Sequence, residues 1–262
     1  MGCVRNAARR SIPILLALAV AAGGNGLSPA AERLGPIARE DPRSPIPRIE
    51  IPAPRPQGRR ADVQHLVVVV ERAMRLMSRP GGGRVVGVVP ASSPYYGVPS
   101  RAWVLGVSRH GRFGRVPIPY AGRVATGWLA LGGLQTATTR ISVTANLSRH
   151  RIFVRRDDRL IFSAPAATGA AMTPTPVGRY VVSDRIAFPG GGVYGTFAFG
   201  ISGIQTNLPP GWTGGNQLAI HGTNDPSSIG RSASYGCLRV SERVLDRLRP
   251  LLRLGTPVLI RR

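Results

Sequence analysis

The residues best suited to chemistry in this sequence are His221 and Cys237, which stand 16 positions apart. A thiol becomes a strong nucleophile when it is deprotonated, and a nearby imidazole can take its proton. Gly236 permits a tight turn before the cysteine, and the backbone N–H groups of that turn can hold an oxyanion. Nucleophile, base and oxyanion donors are the components of acyl transfer.

The use of cysteine supports a reactive thiol. The chain has two cysteines, and Cys3 lies before an apolar run at residues 12–22 that follows three arginines. Such a run is shorter than the roughly 20 residues of a membrane span and is typical of a signal peptide. We expect residues 1–27 to be a signal peptide or an N-terminal anchor and the protein to be exported. An exported protein usually pairs its cysteines, so the single remaining thiol of Cys237 indicates reactivity.

The residues alone leave other interpretations open. A lone cysteine is often a small buried hydrophobic residue, and a lone histidine often has a structural role. A zinc site needs three or four protein ligands, and His65, His110 and His150 lie far from Cys237 in the sequence. We therefore expect no metal.

The net charge of +23 comes entirely from arginine, because the chain contains no lysine. A charge of this size favours an anionic partner such as nucleic acid, a membrane surface or a wall polymer. The arginines are scattered, and only six Phe and six Tyr are present, so an aromatic platform for nucleic acid is poorly supported. The sequence predicts no nucleic-acid partner and leaves an anionic wall polymer open.

The elements that must position these residues are mainly short strands, since 24 Pro and 33 Gly are too many for a helical bundle. Residues 28–63 are rich in Pro and Arg and are predicted to be a semi-rigid linker. Residues 64–138 loosely resemble a bacterial SH3-like module, a small barrel with either a packing or a binding role. Its predicted strands are 66–70, 84–89, 103–107, 115–118 and 127–131.

Residues 139–262 are predicted to form a second β-rich domain with one or two short helices. Asp157-Asp158 marks a hairpin turn, and Ser241 is the predicted N-cap of a helix that ends near Pro250. The predicted strands are 141–145, 151–154, 160–162, 177–183, 216–221 and 256–261. This arrangement puts His221 at a strand end and Cys237 after a turn, with a loop between them that can fold back.

The stretch around both residues resembles the signature of the L,D-transpeptidase catalytic domain, the YkuD-like family, and the resemblance spans residues 141–262. The matching segments are His221-Gly222-Thr223-Asn224, Ile229-Gly230-Arg231 and Ser234-Tyr235-Gly236-Cys237-Leu238-Arg239. Upstream, residues 173–180 resemble the strand start of the family, and Tyr194-Gly195 with residues 197–202 resembles its substrate-side loop. Tyr235 stands where the family most often has a second histidine.

The resemblance implies a role for each matching residue. Cys237 would attack the carbonyl of the third residue of a peptidoglycan stem tetrapeptide, and His221 would act as its base. The carbonyl of Gly222 would orient the imidazole, Tyr235 would help to shape the donor pocket, and the N–H groups of Gly236 and Cys237 would bind the oxyanion. The substrate-binding residues implied are Ser234, Arg239, Tyr194 and Asn224. The product would be a 3→3 cross-link between stem peptides, made without a cofactor.

Two other functions fit the same residues. An L,D-carboxypeptidase would resolve the same thioester with water, and a non-catalytic wall-binding protein would keep the fold only as a scaffold. A catalytic thiol is expected to react with iodoacetamide below its ordinary pKa of about 8.5, whereas the thiol of a binding protein is not.

Overall fold

The computed structural model describes residues 63–262. The predicted signal peptide or anchor lies outside the described residues, as does the predicted linker up to residue 62. The described chain is mainly β, as predicted, with one α-helix and one 3₁₀ turn among its residues. No helix within this part of the chain is long and apolar enough to cross a membrane.

The first block is built from eight strands in two antiparallel sheets, in the orders β4-β1-β8 and β3-β2-β7-β6-β5. Val68, Val70, Leu76, Val116 and Leu129 form its buried core. Its resemblance to an SH3-like barrel stays a prediction. The strands are β1 (His65–Val70), β2 (Met74–Arg79), β3 (Gly82–Val89), β4 (Ser100–Trp103), β5 (Gly106–Val107), β6 (Phe113–Pro117), β7 (Thr126–Ala130) and β8 (Thr136–Thr139).

The second block carries ten strands and the helix. They are β9 (Ile141–Asn146), β10 (Arg151–Arg156), β11 (Arg159–Pro165), β12 (Thr168–Gly169), β13 (Gly178–Ala187), β14 (Phe197–Ile204), β15 (Gln217–His221), β16 (Ser232–Ser234), β17 (Leu238–Arg239), β18 (Pro257–Arg261) and α1 (Glu242–Leu248), with the 3₁₀ turn at Pro226–Ser228. Eight of these strands form one sheet in the order β11-β10-β9-β18-β13-β14-β15-β17.

Local sequence explains several of these elements. Asp157 and Asp158 both have positive φ, as a tight hairpin between β10 and β11 requires. The side chain of Ser241 accepts a hydrogen bond from the Val244 N–H and caps α1. The helix buries Leu245 and Leu248 against the sheet. The predicted hairpin and N-cap are therefore confirmed.

One segment differs from its prediction. Residues 197–202 were expected to form a substrate-side loop, but they belong to β14, and every residue from Phe197 to Gly203 is buried. Phe199 and Ile201 project into the core that also contains Leu218 and Ile220. Burying these large side chains requires a central strand, and the loop prediction was wrong for that reason.

The two blocks lie in a single compact unit. The backbone N–H of Tyr120 in the first block donates to the carbonyl of Ser202 in β14 at 3.0 Å. The Oγ of Ser93 donates to the buried carboxylate of Asp184 in β13 at 2.9 Å. The first block is therefore attached to the sheet that carries His221.

Candidate active site

His221 and Cys237 meet in a cleft of about 460 Å³. Strands β15 and β17 pair in parallel, with Ile220 opposite Leu238 and His221 opposite Arg239. This register places Cys237, one residue before β17, beside the end of β15. Of the residues predicted to form the site, those that line the cleft are His221, Cys237, Ser234, Tyr235, Arg239 and Tyr194.

His221 is only 3% exposed. Its Nδ1 donates a hydrogen bond to the carbonyl of Gly222 at 2.5 Å, which assigns the neutral tautomer with an unprotonated Nε2. Burial lowers the pKa of His221 to about 4. The hydrogen bond to the Gly222 carbonyl opposes this shift, and the positive charge of Arg239 adds to it. The imidazole is therefore in its base form at neutral pH.

Gly222 is surrounded too closely to carry a side chain. A Cβ at this position would lie 2.8 Å from the Cα of Gly195 and would clash with the carboxylate of Glu242. The close approach brings the loop that contains Tyr194 against the end of β15. Glycine at position 222 thus allows the packing that orients the imidazole.

Tyr194 covers one face of the imidazole. Its ring centroid lies 5.1 Å from that of His221 in an edge-on arrangement, and its other side stacks on Phe188 at 5.5 Å. The side chain keeps 39% of its surface exposed. Tyr194 therefore both shields His221 from water and presents a surface to the cleft.

The Sγ of Cys237 donates to the carbonyl of Gln217 at 3.8 Å. Within residues 63–262 it makes no hydrogen bond to His221. Burial raises the pKa of the thiol, although a backbone hydrogen bond from Ala219 and the charge of Arg239 lower it. This direction is opposite to the thiolate expected from the sequence, because neighbouring protein atoms crowd the thiol. Cys237 itself is half-buried and lines the cleft.

The turn before Cys237 is closed by its own hydrogen bonds. The Oγ of Ser234 donates to the carbonyl of Cys237 at 2.6 Å and accepts from the N–H of Gly236 at 3.0 Å. Gly236 has a φ of +114°, which favours glycine. The Ser234 hydroxyl and the Gly236 N–H are therefore engaged inside the turn, whereas the sequence predicted contacts with substrate and oxyanion.

Gln205, which the sequence did not predict as a site residue, stabilises this turn through hydrogen bonds. Its Nε2 donates to the carbonyl of Tyr235 at 3.2 Å and to those of Thr173 and Pro174 at 3.2 and 3.0 Å. The side chain is almost fully buried. A polar residue that directly follows the apolar run of β14 is the sequence signal that could have identified it.

Arg239 lines the cleft without a carboxylate partner. No carboxylate in residues 63–262 forms a salt bridge with its guanidinium, and no Asp or Glu lines the cleft. Its charge does act on the exposed carboxylate of Asp225, whose pKa it helps to lower. Asn224, by contrast, is exposed and is not among the lining residues. The structure therefore brings Arg239 to the site and leaves Asn224 outside it.

Aromatic residues make up much of the remaining wall. Tyr235 is half exposed, and its ring packs on that of Trp212 at 4.9 Å. Tyr95 and Tyr96 reach the same cleft from the first block. No group of three or more His, Cys, Asp or Glu side chains in the part of the chain that the structure describes is arranged to hold a metal ion.

Comparisons with known proteins agree with this arrangement. The family model of the L,D-transpeptidase catalytic domain (YkuD) matches residues 140–260. A Bacillus licheniformis protein named as an L,D-transpeptidase YkuD is 34% identical over 143 residues, which cover 53% of this chain and 78% of that protein. Its Bacillus subtilis counterpart is 27% identical over 147 residues, 56% of this chain and 82% of that protein.

Solved structures show lower similarity. The catalytic domain of the Enterococcus faecium L,D-transpeptidase is 23% identical, with a TM-score of 0.34 over 46% of this chain and 96% of that one. A longer Enterococcus faecium chain is matched over 50% of its length, at 20% identity and a TM-score of 0.36. The assignment rests on the family model and the Bacillus relatives: this chain belongs to the YkuD family of L,D-transpeptidase catalytic domains.

Proposed function

We propose that this protein is a cysteine-dependent L,D-transpeptidase that makes 3→3 cross-links between peptidoglycan stem peptides. The observation that carries the proposal is the pairing of β15 with β17. It places a histidine in its base form and a thiol in one cleft, beside an arginine without a carboxylate partner. We propose further that the protein is exported and works in the cell envelope. There an anionic wall polymer can bind the positively charged protein and retain it.

The reaction begins with a neutral thiol and a neutral imidazole. As the Sγ of Cys237 turns from the Gln217 carbonyl and attacks the third stem residue, Nε2 of His221 takes the thiol proton. The carbonyl of Gly222 holds the resulting imidazolium in place through Nδ1–H. Proton transfer therefore accompanies the attack and does not precede it.

The tetrahedral intermediate needs donors for its oxyanion. The N–H groups of Tyr235 and Cys237 are our candidates, because the N–H of Gly236 is occupied by Ser234. When the intermediate collapses, the imidazolium returns its proton to the departing D-Ala amine and a thioester remains. The amine of a second stem then attacks the thioester, and the sulfur leaves as the regenerated thiol.

The guanidinium of Arg239 is our candidate for binding a carboxylate of the substrate. A guanidinium can bind a carboxylate through two parallel hydrogen bonds, and a stem peptide carries carboxylates near its scissile bond. No acidic residue lines the cleft, and the Asp225 carboxylate that feels the charge of Arg239 lies outside it.

The proposal is tested by incubating the purified chain with a disaccharide-tetrapeptide and analysing the products by mass spectrometry, beside a Cys237→Ala control. We expect a dimer that has lost one D-Ala, formed only by the unchanged chain. Free tripeptide without dimer would assign the L,D-carboxypeptidase instead. Absence of turnover in both samples would favour the wall-binding function. The rate of thiol labelling no longer separates these functions, because burial raises the pKa of Cys237.

A further inference from the structure

We propose that the first block forms part of the substrate site. Tyr96, positioned by Ser93 and Tyr95, is a wall of the cleft that contacts the stem peptide and contributes to its selection. The inference rests on the proposed function for the identity of the substrate, but the placement of Tyr96 is independent of the reaction.

The segment that carries Tyr96 is anchored to the catalytic block by two hydrogen bonds. Tyr95 donates its hydroxyl to Oδ1 of Asn216 at 2.5 Å, and Ser93 donates to Oδ2 of Asp184 at 2.9 Å. Asn216 directly precedes β15, and Asp184 is fully buried in β13. The tip of the first block is thus bound to the two strands that flank β14.

The hydrogen bonds that anchor this segment continue to Cys237. The same Oδ2 of Asp184 accepts a hydrogen bond from Nε2 of Gln217 at 2.6 Å. The carbonyl of Gln217 in turn accepts from the Sγ of Cys237. Ser93 and Cys237 are therefore connected through Asp184 and Gln217, so the position of the first block is fixed relative to the thiol.

The segment is also closed on itself. The N–H of Ser93 donates to the carbonyl of Val98 at 2.7 Å, and the N–H of Gly97 donates to the carbonyl of Ser93 at 3.0 Å. The ring of Tyr95 packs edge-on against Tyr120 at 5.9 Å. Such a loop presents Tyr96 with little ordering cost on binding.

Tyr96 has the features of a binding residue. It lines the cleft, yet 53% of its surface is exposed, and its hydroxyl makes no hydrogen bond within residues 63–262. Burial raises the pKa of Tyr194, and the charges of Cys237 and Tyr96 raise it further. Tyr96, Tyr194 and Cys237 all line the same cleft.

The ligand suited to this wall is an extended peptide. A tyrosine ring packs on aliphatic and amide surface, while its hydroxyl bonds a peptide group. Tyr194 belongs to the second block and Tyr96 to the first, so the way the blocks pack sets the spacing between the two rings. That spacing would limit the size of the stem-peptide residue that lies beside Cys237. A stem peptide offers both the amide groups and the aliphatic branches for such a contact.

The test measures steady-state cross-linking of the tetrapeptide by the full chain and by Tyr96→Ala and Tyr96→Phe. We expect Tyr96→Ala to raise KM about tenfold with kcat changed less than about twofold, and Tyr96→Phe to raise KM about threefold. The rate at which iodoacetamide alkylates Cys237 should stay the same, because that reagent is too small to need the wall. Val85→Ala, an exposed apolar change in the same block outside the cleft, is the matched control.

An unchanged KM in Tyr96→Ala would overturn the inference, and so would an altered alkylation rate, which would indicate a structural role. If the unchanged chain has no turnover, the proposed function fails by itself. The inference is then decided by calorimetric binding of the tetrapeptide to Cys237→Ala, with and without Tyr96→Ala. An affinity about tenfold weaker in the double variant would support it, and equal affinities would overturn it.

Discussion

At the scale of single residues, burial keeps both groups of the proposed catalytic pair uncharged. It raises the pKa of the Cys237 thiol and lowers that of the His221 imidazole to about 4. Arg239 lowers both pKa values, because its charge stabilises a thiolate and repels an imidazolium. The guanidinium therefore favours one product of the proton transfer and disfavours the other.

Arg239→Gln tests this balance. Removing the cation should raise the pKa of Cys237, so the pH profile of iodoacetamide alkylation moves to higher pH and the rate at a fixed alkaline pH falls. The pKa of His221 should also rise from about 4, as measured by NMR titration of its ring protons.

The matched control for this substitution is Arg231→Gln, an exposed arginine between the 3₁₀ turn and β16 that does not line the cleft. We expect it to leave both profiles unchanged. An alkylation profile that stays in place, or moves to lower pH, in Arg239→Gln would contradict the electrostatic role of Arg239.

At the scale of elements, the start of α1 holds the loop that contains Tyr194 against the end of β15. Glu242, the first residue of α1, accepts a hydrogen bond of 2.5 Å from Oγ1 of Thr196 and longer ones from its N–H. Gly195 and Gly222 approach each other beneath this carboxylate. Helix, loop and strand end are therefore joined at one crowded point.

Gly222→Ala should disturb that point. The added methyl group meets the backbone of Gly195 and the carboxylate of Glu242, and such overpacking costs about 1–3 kcal/mol. Urea unfolding should show this loss in the free energy of unfolding. Gly132→Ala, where an added Cβ has nothing within 4 Å, should stay within about 0.5 kcal/mol of the unchanged chain. Equal stability of the two variants would refute the crowding argument.

Local sequence patterns predict an element only where the residues of that element, and not its tertiary contacts, determine its conformation. The β-branched run of β1 and the Asp157-Asp158 turn were readable from the sequence, as was the N-cap Ser241. Strand β2 was missed, because Met74–Arg79 contains two arginines and only Leu76 is buried. Strand β14 was taken for a loop, since its two glycines and its serine interrupt the continuous apolar run that a strand buried on both faces usually shows.

The candidate site shows the same limit. His221, Cys237, Arg239 and Tyr235 lie within one short segment whose residue types indicate chemistry. Trp212 and Gln205 reach the cleft from segments far from His221 and Cys237 in the sequence. No local pattern marks Trp212, and the polar position after β14 that marks Gln205 does not indicate which residues it contacts. The raised pKa of Cys237 was also beyond the sequence, because it depends on how completely neighbouring strands exclude water from the thiol.

At the scale of the whole molecule, one buried carboxylate joins the two blocks. Oδ2 of Asp184 accepts hydrogen bonds from Ser93 of the first block and from Ser183 and Gln217 of the second. Its Oδ1 has no partner among the residues that the structure describes. A buried group with this role should make the blocks unfold together.

Asp184→Ala should lower the free energy of unfolding by about 2–3 kcal/mol, because the buried hydroxyls of Ser93 and Ser183 and the half-buried amide of Gln217 lose an acceptor. Ser93→Ala should lower it by about 1 kcal/mol. Thermal unfolding monitored by circular dichroism should give a single transition for the unchanged chain. Asp246→Ala, which removes an exposed carboxylate 3.9 Å from Arg249, should have little effect. Two separate transitions in the unchanged chain would show that the blocks are independent.

The composition of the cleft has a consequence for the lifetime of an acylated protein. Arg239 is the one cation among the described residues that line it, and the chain has no lysine. A guanidinium keeps its proton to above about pH 12 and so does not attack a thioester. An acyl group on Cys237 therefore has no amino side chain of this protein to which it can migrate. Transfer of the acyl group to a lysine is therefore closed as a route of inactivation.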